Sequence, residues 1–351
     1  MTIQLDHLFP NLKSGLEGVG FIFGAGTSVC AGYPLTLDLT KKIFFELTDD
    51  EKESIEKILA NESIPANFKE GIPDIEVVSN TLFKYSLAGV DPKIPLIEEK
   101  ISGLLVSVLI DVKPKLDTHV RFLKALKKIM QNKKEIIYIF TTNYDLVFEL
   151  AAMEARIPIY NGFEGVLARY FDIDRIDLSR GHINERNVFS HDMNPSIHLV
   201  KLHGSISWYK TTSGDVLEAS GFDTVKDKSR TMILPKISKV SETLEHPYDK
   251  LFRYASRTIG SKCKYLVSCG YSFRDQHINE QLLFPKMRDN NIRLVGLSTD
   301  AFCCIDDLMQ YSSFNYVFRN KFFVNGIEGD SSSEVYYFEN FVELFAKYAG
   351  I

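Results

Sequence analysis

Five stretches of the chain are apolar at nearly every position: 19–23, 136–140, 197–202, 265–269 and 292–297. A strand with one wet face alternates polar and apolar residues, whereas a strand covered on both faces does not. These runs therefore predict the strands of a buried parallel sheet. The segments after them look helical, and strand alternating with helix predicts an α/β fold, a Rossmann-like parallel sheet flanked by helices. A last helix is expected over about residues 333–349.

Residues 41–134 follow another pattern, with several helical segments and no convincing strand. Asp74 after Pro73, Pro95 before Leu96, and Asp117 before Thr118 mark helix starts. The interval reads as a helical insertion within one domain spanning 1–351. Residues 161–196 mix Gly, Arg, Asp and His without a period, as a lid or specificity loop does. The longest apolar stretch, Ile101 to Ile110, is short and interrupted by Ser102, Gly103 and Ser107, so it predicts a buried helix rather than a membrane span.

Composition narrows the function classes. At 351 residues and 45% hydrophobic content the chain can bury a large core without staples. A net charge of -5 with interspersed signs argues against a polyanion-binding surface, so direct nucleic-acid binding is not expected. Cys30, Cys263, Cys269, Cys303 and Cys304 are odd in number and contain no Cys-x-x-Cys pair. Neither a disulfide framework nor a structural zinc site is indicated, no metal is expected, and the thiols read as mostly buried ones of a cytoplasmic protein.

In open α/β sheets ligands bind beyond the carboxyl ends of the strands, where the topology switches direction. The five runs end in small or polar clusters: Gly24-Ala25-Gly26-Thr27-Ser28, Thr142-Asn143-Tyr144-Asp145, His203-Gly204-Ser205, Gly270 to Asp275, and Ser298-Thr299-Asp300. The first lets backbone amides approach a pyrophosphate at a helix start, with the Thr27 and Ser28 hydroxyls as added donors; the competing reading is close packing of helix on strand. Asn143 suits a ribose hydroxyl or an attacking water. Asp145 reads equally as a sugar contact or as the cap of the next helix. His203 is the candidate general base. Ser272 and Asp275 suit the far half of a nucleotide, or a turn with Asp275 as its cap. Arg274 and His277 are assigned to the rim or a partner contact, and Trp208 and Tyr209 to core or pocket wall. The acid of a dehydrogenase fingerprint and the Lys of a P-loop are both missing, which disfavours hydride transfer and ATP hydrolysis.

Taken in order, the Gly-Ala-Gly loop, Thr142-Asn143-Tyr144-Asp145, Lys201-Leu202-His203-Gly204-Ser205 and Gly270-Tyr271-Ser272-Phe273-x-Asp275 make the chain resemble the sirtuin-like proteins, in particular their bacterial zinc-free branch associated with NAD hydrolysis and phage defence. The resemblance implies an NAD site in which Gly24 to Ser28 hold the pyrophosphate and Asn143 contacts the nicotinamide ribose and its water. His203 would be the catalytic histidine, with Thr142 and Asp145 in the ribose pocket and Gly270, Ser272, Asp275 and Ser298 along the adenosine side. Deacetylating sirtuins carry a four-cysteine zinc module after the His-Gly strand and Pro-Asp-Phe-Arg after the glycine loop; this chain has only Cys263 and Gly32-Tyr33-Pro34-Leu35 there. The resemblance thus implies a gated NAD hydrolase of antiphage defence, an oligomer, and a ring-forming ATPase of the translocase type as partner. A deacylase or ADP-ribosyltransferase and a non-catalytic nucleotide-sensing subunit are the alternatives.

Overall fold

Period-two burial explains the continuous apolar runs. In the computed structural model they become β1 (Val19–Phe23), β2 (Ile136–Thr141), β4 (Ser196–Lys201), β5 (Tyr265–Cys269) and β6 (Arg293–Leu297), with β3 (Ile159–Tyr160) in between. Phe21, Phe23, Ile137, Ile139, Leu199 and Val267 point to one face. Ile22, Tyr138, Phe140, Val200 and Leu266 point to the other. Each face has its own core, so neither set of positions can be polar.

The structure describes residues 3–9, 12, 15–65, 68, 71, 74–89, 91–130, 135–178, 180–192, 194–219, 228–232, 245–331 and 334–351. Pro73, Lys134 and Ser333, which figure in the expected boundaries, lie outside these. The main sheet is completed by β7 (Phe314–Val317), β8 (Lys321–Val324) and β9 (Ile327–Asp330), in the order β9-β8-β7-β6-β5-β1-β2-β4-β3. All neighbours from β7 to β3 are parallel; β8 runs antiparallel to both β7 and β9. The chain leaves β1 for β2 on one side and comes back for β5 on the other, so the topological switch lies between the ends of β1 and β5.

The helices are α1 (Thr36–Phe45), α2 (Asp49–Asn61), α3 (Ile75–Ala88), α4 (Lys93–Ile110), α5 (Asp117–Ile129), α6 (Val147–Ala155), α7 (Tyr248–Thr258) and α8 (Phe338–Ala349), besides shorter turns. The first face of the sheet is covered by α5, α6 and α8, where Phe122, Phe148, Phe338 and Phe341 pack on Phe21 and Phe23. α7 and the segment 276–288 cover the second. Helices α1 to α4 make a third cluster of their own with Tyr33, Val147 and Ile206. Thus α5, although inside 41–134, belongs to the main sheet's core rather than to the cluster of its predecessors. Asp74 caps α3 by accepting from the Glu76 amide at 2.8 Å, as its position predicts.

One region differs from the sequence reading. Residues 161–196 hold short strands at 163–164, 168–171, 181–183 and 189–191 and a 3-10 turn at 173–177. Strands of two to four residues are too short to display a period. The first two join 204–211, 216–219 and 228–232 in a second, antiparallel sheet. Trp208, fully buried, and Glu218, which takes hydrogen bonds from Asn161 and Trp208 and an ion pair from Arg169, form its centre.

Candidate active site at the topological switch

The switch is tight because glycines meet there. A side chain on Gly24 would stand 2.5 Å from the Gly270 carbonyl oxygen, and one on Gly270, at φ +63°, 2.5 Å from the Thr27 amide nitrogen. The Gly26 amide donates to the Gly270 carbonyl at 3.0 Å. These contacts let the β1 and β5 turns lie against each other. Residues 25–28 form a 3-10 turn starting at the end of β1.

The β2 end locks onto this turn. Nδ2 of Asn143 donates to the Gly24 carbonyl at 3.0 Å, to Thr27 Oγ1 at 3.3 Å and to Ser28 Oγ at 2.9 Å. Ser28 Oγ donates in turn to Asp145 Oδ2 at 2.8 Å. The other oxygen of Asp145 accepts from the Val147 amide at 3.0 Å; the cap of α6 itself is Leu146, so Asp145 stands one residue before the cap, where it joins the first helical amide to the glycine turn. Lys201, almost fully buried on β4, donates from Nζ to the carbonyls of Tyr144 and Asp145 and pairs with Glu149 at 2.9 Å. Burial pushes the Glu149 carboxyl above its ordinary range, and Lys201 pulls the other way.

At the end of β4 the chain turns through Leu202 and His203 and, at Gly204 with φ +84°, enters the second sheet. His203 is buried, and its Nε2 lies 3.1 Å from Nε2 of His277 and 3.7 Å from Oδ1 of Asp275. The His203 and His277 rings stack at 5.2 Å and 22°. Phe252 of α7 lies 5.6 Å from the far side of this pair at His277, and Tyr144 lies 6.4 Å from His203. The turn that delivers Asp275 and His277 is strained: Phe273 is a buried aromatic residue at φ +57°. Its carbonyl accepts from Asn279 Nδ2 at 2.7 Å, and its ring packs on Phe302 at 4.4 Å, which holds the conformation.

Between these ends lies a cavity of about 270 Å³, near the lower end of small-molecule sites at about 300–1,000 Å³. Its floor contains Gly24, Ala25, Gly26, Ser28, Thr142, Asn143, Asp145, His203, Gly270, Ser272 and Asp275; its roof contains Leu35, Leu39, Ile75, Leu105 and Leu109 of the helical segment. Four of the five strand-end clusters therefore share one space. Ser298, at the end of β6, is not among the lining residues, and Thr27 faces inward, fully buried, behind the turn. Asp275, expected on the adenosine side, stands beside the imidazole. His277, expected at the rim, is buried against His203, because the turn after β5 folds back toward β4. Arg274 does line the cavity and pairs with Asp74 at 3.7 Å. Trp208 is core.

Sequence reading gave no site role to any of the roof residues, nor to Tyr33, whose phenol burial and then the charges of Asp145 and Glu149 push up, keeping it a neutral hydroxyl on the cavity wall. It also overlooked Lys201 as a support. The signal for Asp275 with His277 was present as an Asp-x-His spacing. Burial pushes the thiol of Cys30 up to about 11 and that of Cys304 up to about 12, so neither is a thiolate nucleophile at neutral pH. Among the described residues, the group of three or more metal-ligating side chains brought together is His203, Asp275 and His277, and no group of cysteines is.

Residues 138–293, just under half of the chain, match the family model of the SIR2-like domain. The matched span includes Asn143, His203, Gly270 and His277 but not the glycine turn. Among solved structures, a Sir2 homologue in complex with NAD is 10% identical, with 95% of this chain and 89% of that one covered at a TM-score of 0.45. A mutant Sir2 homologue in complex with ADP-ribose is 11% identical, with 97% of each chain covered at a TM-score of 0.43. No curated protein matches the chain.

Proposed function

We propose that this protein cleaves the nicotinamide–ribose bond of NAD, giving nicotinamide and ADP-ribose. The observation that carries the reading is the shared cavity: the glycine turn, the Asn143 carboxamide and the His203 imidazole all line it at the topological switch. Gly24 to Ser28 receive the pyrophosphate, with Gly270 permitting the close approach. Breaking the glycosidic bond builds positive charge on the ribose carbon, as in glycoside hydrolysis. Asn143 and Thr142 fix the ribose and the attacking water, and His203 takes a proton from the attacking water or a ribose hydroxyl. The apolar roof from α1, α3 and α4 excludes bulk water, which strengthens each of these contacts. Ser272 and Ser298 extend the site toward the adenosine.

The SIR2-like match over 138–293 supports the NAD reading. The whole chain acts as one unit, with 41–134 as its helical insertion. Free drainage of NAD would harm the host cell, so activity is gated in the cytoplasm by self-assembly or by a ring-forming translocase-type ATPase, in bacterial antiphage defence. Deacylation would require an acceptor channel and a sensor would bind without turnover.

The test is incubation of the purified chain with NAD, alone and with the candidate ATPase, while nicotinamide and ADP-ribose are separated and quantified. His203→Ala should lower nicotinamide release by about 10² to 10⁴-fold with the melting transition retained, and Asn143→Ala should lower release as well while shifting the melting midpoint down, because it also removes the clamp on the glycine turn. Two fully active variants would end the proposal, and modified protein in place of free ADP-ribose would favour the transferase. A strict monomer indifferent to any partner would end the gating reading.

A further inference from the structure

The geometry points to a binding site for a divalent transition-metal ion of the zinc class on His203, His277 and Asp275. Three side chains from two separate turns bring one ligand atom each to a common point: all three atoms lie within 4.8 Å of one another. In a four-coordinate zinc site the metal–nitrogen and metal–oxygen bonds are about 2.0–2.2 Å, which sets neighbouring ligand atoms about 3.3–3.6 Å apart. Nε2 of His203 stands 3.1 Å from Nε2 of His277 and 3.7 Å from Oδ1 of Asp275, on either side of that spacing. Adjustments of a few tenths of an ångström bring both of these pairs to that spacing, and the ligand atoms of His277 and Asp275 lie within 4.8 Å of each other.

The ligand set fits this class of ion. Two imidazoles and a carboxylate give nitrogen and oxygen donors of intermediate softness, which suit zinc, cobalt or nickel and are poor for magnesium or calcium. The rings are held in place: both imidazoles are buried, they stack on each other, and Phe252 flanks His277. Three protein ligands leave the fourth position open, and both His203 and Asp275 line the cavity, so that position faces water or a ribose hydroxyl. Cysteine arithmetic has no bearing here, because the set contains no sulfur.

A bound ion engages the Nε2 lone pair of His203 and takes it out of proton transfer, so occupancy switches the site off. That consequence rests on the NAD-cleaving reading above; the binding does not.

The experiment uses the full chain, stripped with a chelator and dialysed. Co²⁺ is titrated in while the visible absorption of a four-coordinate cobalt centre is followed, and Zn²⁺ is then measured by competition with a chromophoric chelator. We expect one ion per chain, displacement of Co²⁺ by Zn²⁺, and at least a 100-fold loss of affinity in His277→Ala and in the near-isosteric Asp275→Asn. Stoichiometry well below one, or affinity unchanged in both variants, would overturn the site and leave His203 and His277 sharing a proton instead. Nicotinamide release assayed on the stripped protein separates the two proposals. A chain that binds zinc but leaves NAD intact upholds the metal site and sinks the hydrolase; a chain that cleaves NAD and takes up no ion does the reverse.

Discussion

At the glycine end of the cavity the polar side chains bind one another and the backbone; at the imidazole end they converge on a single point. Asn143, Ser28 and Asp145 use their hydrogen bonds to clamp the β1 turn to the β2 end. Their arrangement fixes a shape, and a ligand there meets mostly backbone. His203, His277 and Asp275 instead aim lone pairs and at most a few protons at one spot, an arrangement that does chemistry or holds a cation. Lys201 connects the two ends, two residues before His203 and bonded to the carbonyls of Tyr144 and Asp145. The contrast separates a rigid cradle from a reactive wall, and four measurements can break or sharpen it.

The largest expected effect is acid loosening behind the cradle. Burial holds His119, packed on Phe148 and Phe338 beside the Thr27 backbone, down to about 3, against 6.5 in the unfolded chain. Below pH 6.5 the unfolded chain binds the additional proton. The stability involved is complete above that pH and is lost progressively as pH falls toward 3, by on the order of 4–5 kcal/mol. His119→Phe keeps the packing and deletes the proton, so denaturation midpoints measured from pH 7 to pH 4 should fall less steeply than in the wild type. Parallel curves would place the acid sensitivity elsewhere.

Cutting the link comes next. Lys201→Met leaves Glu149 without its buried cation and frees two carbonyls, and should destabilise the fold by about 3–5 kcal/mol in urea titration. Adding Glu149→Gln should restore part of that loss; a double variant no better than the single would show that the carbonyl contacts matter more than the ion pair. Gly270→Ala attacks the cradle directly. A methyl group 2.5 Å from the Thr27 amide nitrogen, on a residue with φ +63°, is expected to lower stability by about 3 kcal/mol. Gly89→Ala, also left-handed at φ +63° but with open space around it, supplies the comparison that isolates the contact from the backbone preference. The smallest effect belongs to Ser28→Ala, which removes one donor and one acceptor from the clamp. Calorimetry should record a loss of about 1–2 kcal/mol, and no change would mean that Asn143 and Asp145 hold the turn without it.

Much of the floor was legible in sequence because it is local. A strand buried on both faces is apolar at nearly every position, and small or polar residues follow where the chain leaves the sheet, so β1, β2, β4, β5 and β6 and their ends announce themselves within single windows. The hairpin of β8 and β9 carried an equally local sign, Asn325-Gly326, both at positive φ, that went unread. The second sheet gave less, since its strands at 163–164, 168–171 and 216–219 are only two to four residues long and cannot establish alternation.

The sequence alone determined the sheet's buried strands, the glycine turn and the order of the polar clusters, because periodicity and backbone freedom are properties of neighbouring residues. Only the tertiary structure decided that Asp275 and His277 turn back onto His203, that Lys201 braces the Asn143 loop, and that leucines from α1 and α4 close the cavity. Those are contacts between segments far apart in the chain, fixed by how the turn after β5 and the helices before β2 pack, and no window of sequence contains both partners.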